Sequence, residues 1–311
     1  MSGIKPNMNT RSAQAFLQQI LNSPVTDVRP IEQGEVSKVF SYKQQDDEFI
    51  IHFNSSCEGF VRERYVHDLF ASQGIPVPRV LEIGRANEAL YFSIAEKVPG
   101  RTIISYPEAE IKQILPDLVR QFTNMNEVQL GQTEGYGWIQ PSGDGSHRSW
   151  PEFLASFFQE EQTGFWHGWY ALFEDSFLEK DVFQRLYGMM MELSKYSPQQ
   201  RYLVHGDFHL GNMLTDGHRV TGIVDWEMAF YGDFVFDLAT QHLWTPQLQI
   251  PELVRSTWAA EGRDIPHFEE RLRCALLFKG IDGLRFYAKK GDRNAYDSVK
   301  AELYRSESSD K

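Results

Sequence analysis

The chain has 311 residues and a mass of 36.0 kDa, enough for one large domain or two linked lobes with a sizeable core. Its 41% hydrophobic and 24% charged residues exclude global disorder, and no apolar run approaches the roughly 18 residues of a membrane span. Cys57 and Cys274, the only two cysteines, exclude a disulfide framework and a cysteine-rich zinc site; the first residues lack the apolar core of a secretion signal, so the cytoplasm is the expected location. The net charge is −12, divided as −2 over residues 1–97 and −10 over residues 98–311. No basic face of the kind a nucleic-acid binder needs is visible. The acidic second part serves solubility first, and it also suits a cationic small molecule.

Residues 1–97 read as a β-rich lobe. An apolar stripe at helical spacing, Ala13, Phe16, Leu17, Ile20 and Leu21, opens it. Strand-like runs follow at Val36–Tyr42 and Phe49–Phe53, with a polar turn over Gln44–Asp47 between them. Gly59–Gln73 reads as a helix stopped by Gly74 and the Ile75-Pro76-Val77-Pro78 break. Arg79–Ile83 and Leu90–Ala95 are two further strands. Residues 98–311 read as mainly helical, beginning with Ile111, Ile114, Leu115, Leu118, Val119, Phe122 and Met125 on one helical face. Aromatic-rich helices are expected around Trp150–Phe158, Phe183–Leu193 and His267–Tyr287, and strands at Tyr202–Val204 and Val220–Val224. The tail Arg305–Lys311 is expected to fray.

The segment between those last two strands carries the chemistry. It reads His205-Gly206-Asp207-Phe208-His209-Leu210-Gly211-Asn212, and thirteen residues after Asn212 comes Asp225 at the end of an apolar strand. Phosphoryl transfer from ATP needs these parts. One carboxylate, Asp207, accepts or orients the proton of an attacking hydroxyl. An amide oxygen and a second carboxylate, Asn212 and Asp225, are the hard ligands that hold Mg²⁺ against phosphates. Three fixed positions recur by chance in unrelated chains, and a turn with local hydrogen bonds explains Asp207 and Asn212 equally well on its own. The two bounding strands and the second Asp favour the kinase reading. A rival is a metallo-hydrolase, because His205, Asp207 and His209 alternate and would share one face of a strand. Gly206 and Gly211 argue for a loop instead, and no other His–Glu cluster supplies the missing ligands. His205 is expected to pack and hydrogen-bond the loop, and His209 has no assigned role.

These motifs resemble the aminoglycoside phosphotransferase family, small-molecule kinases with the protein-kinase-like fold. The resemblance rests on HGDFHLGN at 205–212, IVDWE at 223–227 and GDFVFDLA at 232–239. It extends through GEVSKVFSY at 34–42, the run at 53–84 and HLWTP at 242–246, most of all toward the members that phosphorylate hygromycin. The family's usual Pro in the third motif is replaced by Phe234. By resemblance, the fold is α+β and bilobal, Asp207 is the catalytic base, and Asn212 and Asp225 are the Mg²⁺ ligands. Asp233 and Asp237 brace the loop region. Gly34–Val39, with Gly34 and Ser37, corresponds to the loop that covers the phosphates, and Ser93–Val98, with Glu96 and Val98, to the hinge that meets adenine.

One family part is altered. The second strand should carry Lys or Arg toward the phosphates, and it carries His52, with Glu63 eleven residues on at the position of the acidic partner. An unperturbed histidine is only partly cationic at neutral pH. Glu63 and a bound triphosphate would both favour its charged form. The acceptor pocket is expected to draw on Glu227, Trp244, Glu160 and Glu161, the last two near Trp166 and Trp169.

The reading is therefore an ATP- or GTP- and Mg²⁺-dependent kinase of a small hydroxyl acceptor, cationic by charge complementarity, with neither nucleic acid nor membrane as partner. Aminocyclitol and aminoglycoside antibiotics, hygromycin-like ones foremost, are the expected acceptors, which implies antibiotic resistance. A macrolide, a metabolite of the homoserine or choline type, or nucleotide binding without turnover are the alternatives.

Overall fold

A computed structural model describes residues 6–31 and 37–308. In chain order the first elements are α1 (Thr10–Leu21), β1 (Thr26–Ile31), β2 (Lys38–Gln44), β3 (Asp47–Asn54), α2 (Glu58–Phe70), β4 (Val80–Arg85), β5 (Tyr91–Glu96), β6 (Arg101–Thr102) and α3 (Glu108–Glu127). The middle of the chain gives β7 (Tyr136–Ile139), β8 (Gly145–His147), α4 (Trp150–Ser156), α5 (Leu172–Asp175), α6 (Lys180–Leu193), β9 (Tyr202–Val204), β10 (Met213–Thr215), β11 (Val220–Ile223) and β12 (Phe230–Gly232). The chain closes with α7 (Val235–Trp244), α8 (Ile250–Ala260), α9 (Phe268–Lys290) and α10 (Arg293–Ser308). Two compact units result. The first is Met1–Gln129, Ile139–Gly143 and His205–Ala229; the second is Leu130–Trp138, Asp144–Val204 and Phe230–Lys311. The boundary read from the sequence between residues 97 and 98 lies inside the first.

In the first unit the strands run β1-β2-β3-β5-β4 in one antiparallel sheet. The alternation of β2, β3 and β5 decides its two faces. Phe40, Tyr42, Ile51, Phe53, Phe92 and Ile94 are buried on one face, against Ala13 and Leu17 of α1. Val39, His52 and Ser93 stand in register on the other, with Ser41, Ile50 and Ala95 beside them. The hairpin between β2 and β3 closes at Gln45, whose φ is 56°. The helix α2 gives way to a single tight turn and to Gly74 at φ 93°, where the glycine-proline break predicts a stop. All seven apolar positions of the α3 stripe are buried. A small sheet, β11-β10-β6, carries the motif loop. It is pinned to the rest of the unit by the Val220 N–H donating to Asp117 of α3 at 2.7 Å and by the Ile223 N–H donating to the Pro76 carbonyl at 2.8 Å.

The second unit is helical apart from the sheet β8-β7-β12-β9. Its core is aromatic: Trp150 stacks on Phe230 at 5.7 Å between centroids, and Phe236 meets Phe278 at 5.2 Å. No helix among the described residues is long and apolar enough to cross a membrane.

Candidate active site

The loop His205–Asn212 is shaped by hydrogen bonds that its own side chains make. His205 is 0% exposed. Its Nε2–H donates to the Val224 carbonyl at 2.9 Å, and its Nδ1 accepts the Asp207 N–H at 3.3 Å. Burial pushes the imidazole down to about 4, so at neutral pH it is the uncharged tautomer that these two bonds require. Its ring packs on Trp226 with centroids 4.5 Å apart. Gly206 sits at φ +86°, and a Cβ there would come within 2.3 Å of the Met228 carbonyl oxygen, so only glycine lets the loop pass. Phe208 anchors the far side against Phe122 of α3 at 5.4 Å.

Asp207 is thereby held with its side chain 41% exposed. The Asn212 amide donates to the Asp207 carbonyl at 3.0 Å and to its carboxylate Oδ2 at 3.1 Å. Because the Asn212 nitrogen is committed to Asp207, its amide oxygen is the end left to meet a cation. The Asn212 carbonyl in turn accepts the Val224 N–H at 2.9 Å, which brings the end of β11, and so Asp225, beside the loop. Asp225 is in the left-handed region, at φ 66° and ψ 56°, a costly conformation for an aspartate. Its pKa is pushed up to about 7 by burial first and then by the like charges of Glu227 and Asp207.

Two more carboxylates join this neighbourhood. Glu63 of α2 accepts the Trp226 N–H at 3.2 Å, and burial followed by repulsion from Glu227 and Asp225 lifts its pKa well above the usual range. Glu227 accepts from the Ser37 hydroxyl at 3.2 Å, and Ser37 accepts from the Asn54 amide at 3.0 Å. The Arg62 guanidinium donates to the Glu227 backbone carbonyl. Burial raises the Glu227 pKa. Arg62 attracts Glu227, while burial and like-charge repulsion dominate at Asp225 and Glu63, and a bound cation would relieve that repulsion. Among the described residues no three His, Cys, Asp or Glu side chains form a closed metal cage. Mg²⁺ takes one or two protein ligands and completes its shell with phosphates and water. Asn212 and Asp225 fit that role.

His52 does not meet Glu63 as the sequence reading supposes. Its ring stands edge-on to Phe60 at 6.1 Å, burial drives its pKa down to about 4, and the Glu63 carboxylate accepts the Trp226 N–H instead. Beside it, the Ser93 hydroxyl is buried without a hydrogen-bond partner among the described residues. Of the expected hinge, Glu96 is exposed and donates its N–H to the Arg79 carbonyl at 3.0 Å, and Val98 packs on Gly222 of β11. Gly34 lies outside the described residues.

In the second unit Asp233 is buried, bonds Arg271 of α9 through both oxygens at 2.7 and 2.9 Å, and accepts the Val235 N–H at the start of α7. Asp237 is fully buried in α7. Phe234, which replaces the family's proline, packs edge-on to Tyr202 at 4.9 Å and near Trp258 at 5.3 Å. Glu160 and Glu161 are exposed, and Trp244 is 63% exposed. The tryptophans expected beside the glutamate pair are structural: Trp169 is core and donates to the Gln159 carbonyl at 2.8 Å, and Trp166 lies 3.6 Å from the buried Arg285 guanidinium. His209 and Arg62 belong to the site, and sequence reasoning gave neither a role. The alternation of His205, Asp207 and His209 was the available signal for His209.

A loop-held aspartate, an asparagine five residues on and an aspartate at a neighbouring strand end, on a five-stranded lobe, define a kinase-like phosphotransferase. The chain belongs to the phosphotransferase enzyme family, whose model matches residues 27–276. It is 30% identical over 298 residues to the hygromycin-B 4-O-kinase of Escherichia coli, covering 96% of this chain and 84% of that protein. Aminoglycoside phosphotransferase APH(4)-Ia superposes with a TM-score of 0.81 at 26% identity over 96% of this chain and 98% of its own. A thermostable mutant of it in ternary complex with ADP and hygromycin B superposes with a TM-score of 0.81 at 27% identity, over 94% and 97% of the two chains. The chain is a phosphotransferase, as the motifs imply.

Proposed function

We propose that this protein transfers the γ-phosphoryl group of ATP to a hydroxyl of an aminoglycoside or aminocyclitol antibiotic, hygromycin B foremost, and so confers resistance to it. The observation that carries the reading is the likeness to the hygromycin-B 4-O-kinase across 96% of the chain, joined to a loop that holds Asp207 ready for an acceptor hydroxyl. GTP is the alternative donor.

The chain's own residues divide the work in this scheme. Asp207 orients the acceptor hydroxyl and receives its proton as the O–P bond forms. His205 and Asn212 keep that carboxylate in place. Asn212 and Asp225 would hold Mg²⁺, which supplies charge neutralisation at the transferring phosphoryl group. The Ser93–Val98 backbone takes adenine, and the face carrying His52 and Ser93 lies toward the nucleotide. Glu227 is the contact for an acceptor amine, Trp244 offers a ring for a sugar to pack on, and Glu160 and Glu161 add acidic charge. The acidic charge of residues 98–311 favours such a cation.

A coupled ADP-release assay with Mg-ATP tests this against aminoglycosides, macrolides and metabolic alcohols. Release stimulated by hygromycin B or a related aminoglycoside supports the proposal. Stimulation by a macrolide or metabolite alone overturns the acceptor class. Nucleotide binding without release on any acceptor leaves a binding protein, the reading that His52 favours.

A further inference from the structure

His209 lies at the centre of the motif loop, and the mechanism above gives it no task. Three observations do. Its Nδ1 accepts the Gly211 N–H at 3.0 Å. Its Nε2 lies 3.4 Å from the Asp207 Oδ2, the oxygen that also accepts from the Asn212 amide. Gly211 is shaped to the ring, because a Cβ there would stand 2.7 Å from His209 Cε1 and 2.9 Å from Nδ1. The first contact decides the second. A ring nitrogen that accepts a backbone N–H carries no proton, so in the neutral imidazole the proton is on Nε2, on the side of Asp207.

We propose that His209 is a positioning residue for Asp207. Its Nε2–H faces the same carboxylate oxygen that the Asn212 amide bonds, and the two together set the plane in which the carboxylate meets the acceptor hydroxyl. The contact is long for a hydrogen bond in the free enzyme; such contacts tighten when substrates assemble. The effect is expected in turnover rather than in nucleotide binding, because the His209 side chain contacts the base directly and meets the metal ligand Asn212 only through the shared oxygen. The same imidazole also caps the short turn Leu210–Asn212. A merely structural role would need only that cap, and a positioning role needs the second nitrogen as well.

This inference rests on the phosphotransfer reading, and the test separates the two. His209→Asn keeps an oxygen able to cap Gly211 but cannot also reach Asp207. With Mg-ATP and hygromycin B it should lose roughly 10- to 100-fold in kcat, the scale of a misplaced catalytic group. Its KM for ATP should stay within about twofold of wild type. His209→Gln, with an amide donor on a longer arm, should recover part of the loss. Gly211→Ala, which pushes the ring aside, should repeat it. Unchanged kcat in His209→Asn would overturn the proposal. If the wild type does not phosphorylate hygromycin B, the acceptor assignment fails instead. Two-bond ¹⁵N–¹H NMR of the free enzyme then decides: an Nε2–H tautomer whose shifts move in Asp207→Asn upholds the proposal, and an Nδ1–H tautomer overturns it.

Discussion

Glu63 donates nothing to His52; its carboxylate accepts the Trp226 N–H at 3.2 Å, one residue past Asp225. It therefore helps to hold the turn that presents Asp225, and it adds a third acid to Asp225 and Glu227. A carboxyl whose pKa is raised on folding stabilises below its ordinary pKa and loses that stabilisation as pH rises through the folded value. At neutral pH Glu63 is thus a burden on the free protein. Glu63→Gln retains an acceptor for Trp226 and should raise the melting temperature near pH 7.5, with the gain shrinking near pH 5. A lower melting temperature at pH 7.5 would contradict this.

The neutral His52 leads to a second expectation. With its pKa near 4 in the free enzyme, it gives the phosphates no full charge at neutral pH unless binding adds a proton. His52→Lys places on the same face an amine whose ordinary pKa lies far above neutral and should tighten Mg-ATP binding by roughly tenfold, the scale of a charge-assisted hydrogen bond. Calorimetric titration of both proteins measures it. Equal affinities would mean that this face does not meet the phosphates.

His205 gives a stability prediction with a definite sign. Its pKa falls from 6.5 to about 4 on folding, so its stabilisation is complete above the unfolded value and is lost as pH falls toward the folded one. The loss amounts to about 3 kcal/mol at most. His205→Gln, which does not titrate, should be less stable than wild type at pH 7 by urea denaturation, and the gap should close as pH falls from 6.5 toward 4. A gap that stays constant would show that the ring is not held neutral.

The Asp233–Arg271 pair is a buried ion pair of the second unit, with side chains only 5% and 3% exposed. Removing one partner leaves the other charge buried. Asp233→Ala should cost about 3–5 kcal/mol in urea denaturation. A cost within the range of ordinary surface substitutions would contradict it.

Much of this molecule is legible in its sequence, for physical reasons. The α3 stripe repeats at 3.6 residues and is buried throughout, so its period announces it, and β3 and β5 are announced by short apolar runs bounded by turn residues. The catalytic segment is legible because its chemistry demands fixed residue types at fixed spacing. What is hidden depends on three dimensions. β1 contains Pro30 and has no buried residue, and β6, β8, β10 and β12 are two or three residues long, so no period marks them. The partner of Glu63 is a backbone N–H on a distant turn, which no spacing rule encodes. Trp166 and Trp169 read equally well as a binding wall or as core, and only the structure shows that Trp169 is core while the half-buried Trp166 lies against the buried Arg285 guanidinium.

The central claim is that Asp207 acts on the acceptor while Asn212 and Asp225 serve the metal and nucleotide. Measuring turnover and Mg-ATP affinity side by side in wild type and Asp207→Asn, with hygromycin B as acceptor, tests it most directly. The account predicts that turnover falls by about 10²–10⁴-fold, the range for losing a general base, while Mg-ATP affinity stays near that of wild type. Near-normal turnover in Asp207→Asn would contradict it.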